Sequence, residues 1–543
     1  MERSDLQFKL KMPNIVMDKQ DLLKLVGKKL SDEKLKDRIS MLGTDLESVG
    51  KEVEVEVFPN RPDMLSVEGF SRALKSFVGV KKGLKDYKVL KGSYSAKIDK
   101  KVSKVRPYAV AAVVKNVKLD DEILKSLMQV QEKLHMTHGR NREKVSIGVY
   151  DLDKIKFPIT FTTKPVSFKF TPLEYSDRMN LNQILNKHPK GKEYAQLLEK
   201  FEEYPIWIDS KKQVLSMPPI INSQETRVHK KTKNLFIDVT GWDLNAVEQA
   251  LNIVVCSLAD RNGKIYSVNV DGKSYPELKP VRMKVNRDYV NKILGLDLNE
   301  VKIKELLSMM GIGYGNGFAL VPAYRADVLS EIDLVEDIAI AYGYENFESE
   351  IPNVATIAAE DLFEKFKSKV ANILVGYGLL ETNTYNLTNK ENQTSKMGIN
   401  LDLVEIENAL NKEYNVLRGW MIPSLLEVLG NNKHHMYPQN IFEIGTVFSN
   451  DEEKDRLAIL LCPGNYTDAR QILDGLFRAL DLDYKVRAVE HKSFIDGRVG
   501  RVSVKGKDVA YIGEIHPRCL SSFDLKNPVV GFELNLSGLF KLI

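Results

Sequence analysis

Hydrophobic positions change period several times along the chain, and each change marks an element. Glu52-Val53-Glu54-Val55-Glu56-Val57 alternates with period two, which predicts a strand with one wet face. Phe58-Pro59-Asn60-Arg61-Pro62-Asp63 follows, and two prolines in four positions force a turn. Ser66 is then placed to cap a helix whose apolar stripe is Val67, Phe70, Leu74, Phe77 and Val78, with Gly79 to end it. From about residue 86 the pattern becomes mixed. Tyr108–Val114 reads as a strand, and Asp121–Leu134 and Asn245–Leu258 read as helices, in no strict alternation, which is α+β patterning. Asn286–Leu294 and Asn299–Met310 are short amphipathic helices followed by Gly295 and Gly311, and a third helix is predicted from near Ser330 to Gly343. Later, Phe363, Phe366, Val370, Ile373, Leu374 and Tyr377 recur at helical spacing before Gly376-Tyr377-Gly378 breaks the run, and Asn440–Gly445 reads as a buried strand.

These changes divide the chain into four expected domains: 1–85, an N-terminal α+β domain; 86–275; 276–347, a small helical, winged-helix-like module; and 348–543. A length of 543 residues fits several domains, because a single core stops growing well before that. No fixed-period repeat and no low-complexity linker interrupts the pattern.

Composition narrows the class. Hydrophobic residues make up 43% and charged residues 28%, so long disordered stretches are not expected. Lys plus Arg is 79 against 74 Asp plus Glu, a net +5 that permits a nucleic-acid partner without demanding one. Two local basic clusters stand out: Arg140, Arg142 and Lys144, then Arg227, His229, Lys230, Lys231 and Lys233. Each alone reads as a solvated charged face. Cys256, Cys462 and Cys519 lie far apart, without zinc-ligand or redox spacing, which fits a reducing, cytoplasmic compartment. Met1–Asp5 opens with no apolar signal core, and no apolar run reaches the length of a membrane span, so no membrane partner is expected.

The most informative chemistry sits on the predicted helix Ser330-Glu331-Ile332-Asp333-Leu334-Val335-Glu336-Asp337-Ile338. Ile332, Val335, Ala339 and Tyr342 are expected on one face, with Asp333, Glu336 and Asp337 on another and Asp327 preceding them across a turn. Three readings fit. Ser330 with Asp333 makes a capping box on an ordinary solvated helix; clustered carboxylate oxygens suit magnesium; or the acids meet a basic stripe on a partner.

At these residues a family comes into view. Asn60-Arg61-Pro62-Asp63-Met64-Leu65-Ser66 resembles a signature near the start of phenylalanine–tRNA ligase (phenylalanyl-tRNA synthetase) beta subunits. Val321–Asp327 followed by Glu331–Asp337 and Tyr342-Gly343-Tyr344 is similar to that subunit's small helical domain. Asn408–Tyr414, Leu417-Arg418, Pro423–Leu426 and Phe442-Glu443-Ile444-Gly445 resemble its synthetase-like core. The order is kept over most of the chain. The length leaves no room for the extra domains of the long bacterial form, so the resemblance is to the archaeal/eukaryotic type.

The resemblance implies four things. The acidic quartet Asp327, Asp333, Glu336 and Asp337 becomes a magnesium site shared with an alpha chain. Residues 86–275 become an editing domain that hydrolyses tRNA mischarged with tyrosine, with Asn222, Ser216 and Ser223 as polar groups of its pocket in Ser216–Ser223. An ordinary Pro-rich turn in which Asn222 bonds its own backbone is the alternative there. Residues 348–543 become a class II synthetase-like core on an antiparallel sheet, without catalytic residues for amino-acid activation: Phe442–Gly445 carries a glutamate but no neighbouring arginine, and the run Gly531–Leu539 does not end in arginine. Activation with ATP and phenylalanine therefore belongs to an alpha subunit, in an alpha2-beta2 heterotetramer that binds the tRNA for phenylalanine. A free-standing deacylase and a non-enzymatic RNA-binding scaffold are the competing functions.

Overall fold

The computed structural model describes residues 14–354, 357–450 and 452–543, so the opening Met1–Asp5 lies outside the described residues. The chain divides into two compact units, one up to Glu350 and one from Ile351.

The first unit begins with a three-stranded sheet in the order Asn14–Asp18, Glu52–Glu56, Asp45–Val49. The alternating segment is its centre, and Val53 and Val55 are fully buried on the inner face. The two prolines end the strand in a short 3-10 turn, Pro62–Met64, in which Arg61 grips the Asp63 carboxylate with two bonds of 2.8 and 3.0 Å. The helix Val67–Phe77 follows, its first turn capped by Ser66, whose hydroxyl accepts from the Gly69 amide at 3.1 Å.

A ten-stranded sheet dominates the unit. Its order is Ile221–Asn222, Val214–Met217, Glu203–Ile208, Ile159–Pro165, Val89–Ile98, Lys264–Val270, Tyr108–Lys115, Leu235–Gly241, Val145–Asp151, with Lys273–Tyr275 paired to Lys264–Val270. The two pairings made by Val89–Ile98 are parallel and the rest antiparallel. The helix Leu244–Asp260 is buried along most of its length because it packs across the sheet. The sheet curls far enough for its two edge strands to meet: the Asn222 amide donates to the carbonyl of Val149 at 3.2 Å. A satellite core of Leu181, Ile184, Leu185, Leu198, Met217 and Ile220 pins the Ile221–Asn222 end of the sheet.

Beyond it, the helices Arg287–Leu294, Glu300–Met309 and Glu331–Tyr342 are joined by a three-stranded sheet, Val281–Lys284, Phe318–Val321, Gly313–Gly315. In the third helix Leu334, Val335, Ile338 and Ala339 are buried, whereas Ile332 is 43% exposed. The apolar face is therefore shifted round the helix from the one expected, keeping Val335 and Ala339 but not Ile332, and Asp337 sits within it at 3% exposure.

The second unit is a seven-stranded sheet ordered Leu380–Glu381, Gln439–Ser449, Glu452–Cys462, Val530–Asn535, Lys507–Ile515, Phe494–Val504, Lys485–Ala488, antiparallel except at the first pair. Both faces are covered. Along Glu452–Cys462, Leu457, Ile459 and Leu461 pack beneath the helices Leu362–Gly376 and Tyr466–Ala479, while Ala458, Leu460 and Cys462 pack against Ile422–Asn431.

Charges also lie within this second unit. Arg418, 2% exposed, donates to Glu443 at 2.6 Å, to Thr384 at 2.9 Å and to the Thr446 carbonyl at 2.8 Å. Arg456 meets Glu533 at 2.7 Å, and Glu533 also accepts the amides of Met421 and Ile422. The strand that carries Phe442–Gly445 has no arginine of its own, but the fold brings Arg418 beside Glu443 from 25 residues away. Gly445 makes room for it: a Cβ there would lie 2.2 Å from the guanidinium. Each arginine is already neutralised by a glutamate. Removing one partner strands a buried charge, so Glu443→Leu is expected to destabilise this unit by about 3–5 kcal/mol, and Glu443→Leu with Arg418→Met to recover most of it. Denaturant midpoints of the two variants check this.

Candidate functional site

The first unit holds a cavity of about 300 Å3 where the curled sheet closes on itself beneath the helix Asp121–Met136. Its walls are largely apolar, with Leu127, Ile147, Val149 and Ile220 among them, and a few polar groups converge inside.

The deepest of these is Asp238, 1% exposed, on the strand Leu235–Gly241. One carboxylate oxygen accepts from the Trp207 indole at 3.0 Å, and Trp207 is fixed by stacking on Phe161 at 4.7 Å. The other oxygen makes no hydrogen bond of 3.5 Å or less among the described residues, and the Tyr150 hydroxyl, which donates elsewhere, is the polar group near it. Burial pushes the carboxyl up to about 7. The residue directly across the strand pair is Gly148. A Cβ at that position would come within 2.1 Å of the Tyr150 hydroxyl and 2.3 Å of the bare Asp238 oxygen, so only glycine leaves that oxygen uncovered. Tyr150 donates to the Ser216 hydroxyl at 2.7 Å.

A second group lines the cavity. Arg140, Asn141 and Arg142 take consecutive left-handed conformations, with φ of 48°, 53° and 68°. Three such non-glycine residues in a row are costly backbone. The turn sends Arg142 inward, where it donates to the carbonyls of Pro219 and Ile220 at 3.2 and 2.9 Å and to Glu132 at 2.6 Å. Arg142 thus leaves the solvated basic face expected for it and clamps the Ser216–Ser223 segment, while Arg140 stays exposed. Burial works against ionisation of Glu132, but His135 and Arg142 together outweigh it and hold the carboxyl down to about 2. His135 is neutral: burial lowers it to about 4, and its Nε2 accepts from the Ile147 amide at 2.8 Å.

Of the three residues expected in this pocket, Ser216 and Asn222 line the cavity, side by side on paired strands. Asn222 bonds across to Val149 and not to its own backbone. Ser223 is fully buried and is not part of the lining; it donates to Glu225 at 2.8 Å. Sequence reasoning missed the roles of Asp238, Gly148, Tyr150, Trp207, Glu132 and Arg142, which come from distant strands, one helix and a turn. The one local signal was the basic run containing Arg142.

The acidic quartet is not gathered round one point. Arg325, 6% exposed, donates twice to Asp327, at 2.8 and 2.7 Å, and once to Asp337, at 2.8 Å. Asp333 caps its helix by accepting the Leu329 and Ser330 amides at 2.8 and 2.7 Å. Glu336 accepts the Tyr344 hydroxyl at 2.9 Å. As arranged, the four do not fit magnesium: the inner pair is spent on a guanidinium and the outer pair on a cap and a phenol. Among the described residues, the group of acids close enough to share an ion is Asp45, Glu47 and Glu56, on the N-terminal sheet.

Two expectations follow. Removing Asp337 leaves Arg325 buried and short of a counter-charge, so Asp337→Ala should cost about 3–5 kcal/mol. Asp333→Ala should cost about 1 kcal/mol as a lost cap, and exposed Glu336→Gln less than either; denaturant melts rank the three. The second concerns pH. Asp238 holds its proton more tightly folded than unfolded, so its contribution is intact below its ordinary value of roughly 4 and is lost as pH rises towards about 7. Asp238→Asn should therefore gain on the parent across that window, by up to about 4 kcal/mol. His135 acts in the opposite direction, stability being lost as pH falls from its ordinary value towards about 4, and comparing the two proteins at each pH cancels it.

Three family models match successive parts of the chain. Residues 92–254 match the B3/4 domain, 283–344 the tRNA synthetase B5 domain, and 347–536 the phenylalanyl tRNA synthetase beta chain CLM domain. The chain is 42% identical to the phenylalanine–tRNA ligase beta subunit of Pyrococcus horikoshii, over 98% of this chain and 100% of that one. It is 42% identical to that of Archaeoglobus fulgidus, over 97% and 99%. A crystal structure of an N-terminal fragment of the Pyrococcus horikoshii beta subunit aligns with a TM-score of 0.58 at 41% identity, over 61% of this chain and 99% of the fragment. Identity of this extent, over nearly the whole of both chains, is decisive: the chain belongs to the family of phenylalanine–tRNA ligase beta subunits.

Proposed function

We propose that this chain joins an alpha subunit in an alpha2-beta2 phenylalanine–tRNA ligase, attaches phenylalanine to its tRNA using ATP through that partner, and itself removes tyrosine from mischarged tRNA in the 300 Å3 cavity. Amino-acid activation is assigned to the partner because Arg418 and Arg456 are already bound to glutamates and have no charge to spare for phosphates. Magnesium is proposed as the companion of ATP in the assembled ligase, apart from the acidic quartet. A cytoplasmic location suits three free, buried cysteines.

The observation that carries the editing reading is the bare oxygen of Asp238, uncovered by Gly148 at the end of an apolar cavity. A synthetase pocket that packs a phenyl ring cannot strongly reject the same ring with a hydroxyl. A second pocket can select for that hydroxyl. The phenol of tyrosine would donate to Asp238, whereas phenylalanine would leave the oxygen buried and unpaired, a difference of about 1–3 kcal/mol. Ser216 and Asn222 fix the wall, and Arg142 holds the loop that carries them. Arg227 lines the cavity and is exposed, and with Lys230, Lys231 and Lys233 it forms a basic patch suited to the tRNA backbone. His135 cannot lend its Nε2, which the Ile147 amide occupies. Water is therefore proposed as the attacking group, aided by a hydroxyl of the terminal ribose.

Co-expression with the alpha chain should give charging that depends on ATP, magnesium and phenylalanine, while this chain alone gives none; charging by the isolated chain contradicts the assignment. In the complex, Gly148→Ala should lower tyrosine release from tyrosyl-tRNA bearing the phenylalanine anticodon at least tenfold, with phenylalanine charging unchanged. Undiminished release places editing outside this cavity.

A further inference from the structure

A second cavity of about 150 Å3 lies within the first unit, between the helix Val67–Phe77, the loop after it and the Tyr324-Arg325 turn. It shares no lining residue with the first. Six cationic side chains line it, Arg61, Arg72, Lys75, Lys81, Lys85 and Arg325, against three carboxylates, Asp63, Glu68 and Asp260.

All three carboxylates are taken. Asp63 is held by Arg61, and Glu68 accepts from Arg261 at 2.7 Å and Ser126 at 3.0 Å. Asp260 accepts from Arg72 at 2.6 Å, from the Tyr87 hydroxyl at 2.7 Å and from Lys85. The donors are not exhausted. Arg72 stacks on the Tyr324 ring at 3.9 Å and gives one nitrogen to Asp260, yet its Nε and Nη2 are buried with no partner among the described residues. Arg325 gives Nε and Nη2 to the acids of the quartet, and its Nη1 is likewise bare. The Ser71 hydroxyl is a third such group. The side chains of Arg72 and Arg325 are 9% and 2% exposed, and Ser71 is 2% exposed.

The four buried atoms left over in this lining are three guanidinium nitrogens and a hydroxyl, and no lining carboxylate or amide oxygen is among them. A group that satisfies them all must be rich in acceptors, and the excess of cations asks for negative charge. Ligand pockets for molecules of nucleotide size start at roughly 300 Å3, so this one suits a bare inorganic oxyanion. We propose that the cavity is an oxyanion site that takes orthophosphate or pyrophosphate, gripped by Arg72, Arg325 and Ser71 with Lys81 at its exposed mouth.

The test is calorimetric titration of the full chain with orthophosphate, pyrophosphate and AMP in separate arms. Saturable one-to-one binding of orthophosphate or pyrophosphate is expected, with AMP at least tenfold weaker because its nucleoside does not fit. Ser71→Ala, which removes one donor with little risk to the fold, should weaken binding about tenfold. Lys81→Gln, at an exposed position, should weaken it and flatten its dependence on salt. Lys292→Gln, at an exposed position outside the lining of both cavities, should leave it unchanged. No saturable binding of either inorganic anion at millimolar concentration overturns the proposal. So does equal affinity in Ser71→Ala and Lys81→Gln, or AMP binding as tightly as the inorganic anions.

Discussion

A buried carboxylate is expensive unless its oxygens are bonded, and the first unit is organised around one that is only half satisfied. Asp238 receives the Trp207 indole on one oxygen, and its cross-strand neighbour Gly148 leaves the other open to a cavity. That arrangement needs the sheet to curl until its edges touch, and it needs the edge holding Ser216 and Asn222 to be pinned from outside. Arg142 does the pinning, from a turn whose backbone is itself strained. The cost of the open oxygen is borne by the packing of the whole sheet, which is why it can persist there.

Elsewhere the chain spends its ionic groups on itself. Arg325 binds Asp327 and Asp337, Arg61 binds Asp63, Arg418 binds Glu443, and Arg456 binds Glu533. In the second unit each guanidinium is matched by a carboxylate and has little charge left for a phosphate. In the first unit the matching is incomplete at Arg72 and Arg325, and the surplus falls together in one small cavity.

Much of the local structure was legible in the sequence. The alternation at Glu52–Val57, the Ser66 cap and the helices before Gly295 and Gly311 reappear within a residue or two, since period and capping are local properties. The small strands Val281–Lys284 and Gly313–Gly315 were not legible, being too short to show a period. Of the cavity's lining, Ser216 and Asn222 were singled out through resemblance, and Arg142 and Arg227 only as members of basic runs. Asp238 reads as one acid in the apolar run Leu235–Val239, and nothing in the chain announces that Gly148, 90 residues earlier, stands opposite it. The third helix misled on orientation for a related reason. Three acids at helical spacing look like a solvated stripe until Arg325 draws Asp337 inward and rotates Ile332 out.

The claim that Asp238 reads a phenolic hydroxyl is tested most directly by calorimetry with tyrosinamide and phenylalaninamide, small stand-ins for the two aminoacyl esters. The account requires tyrosinamide to bind at least tenfold more tightly, with the preference abolished in Asp238→Leu. Equal affinity for the two amides in the parent protein, or a preference that survives in Asp238→Leu, contradicts it.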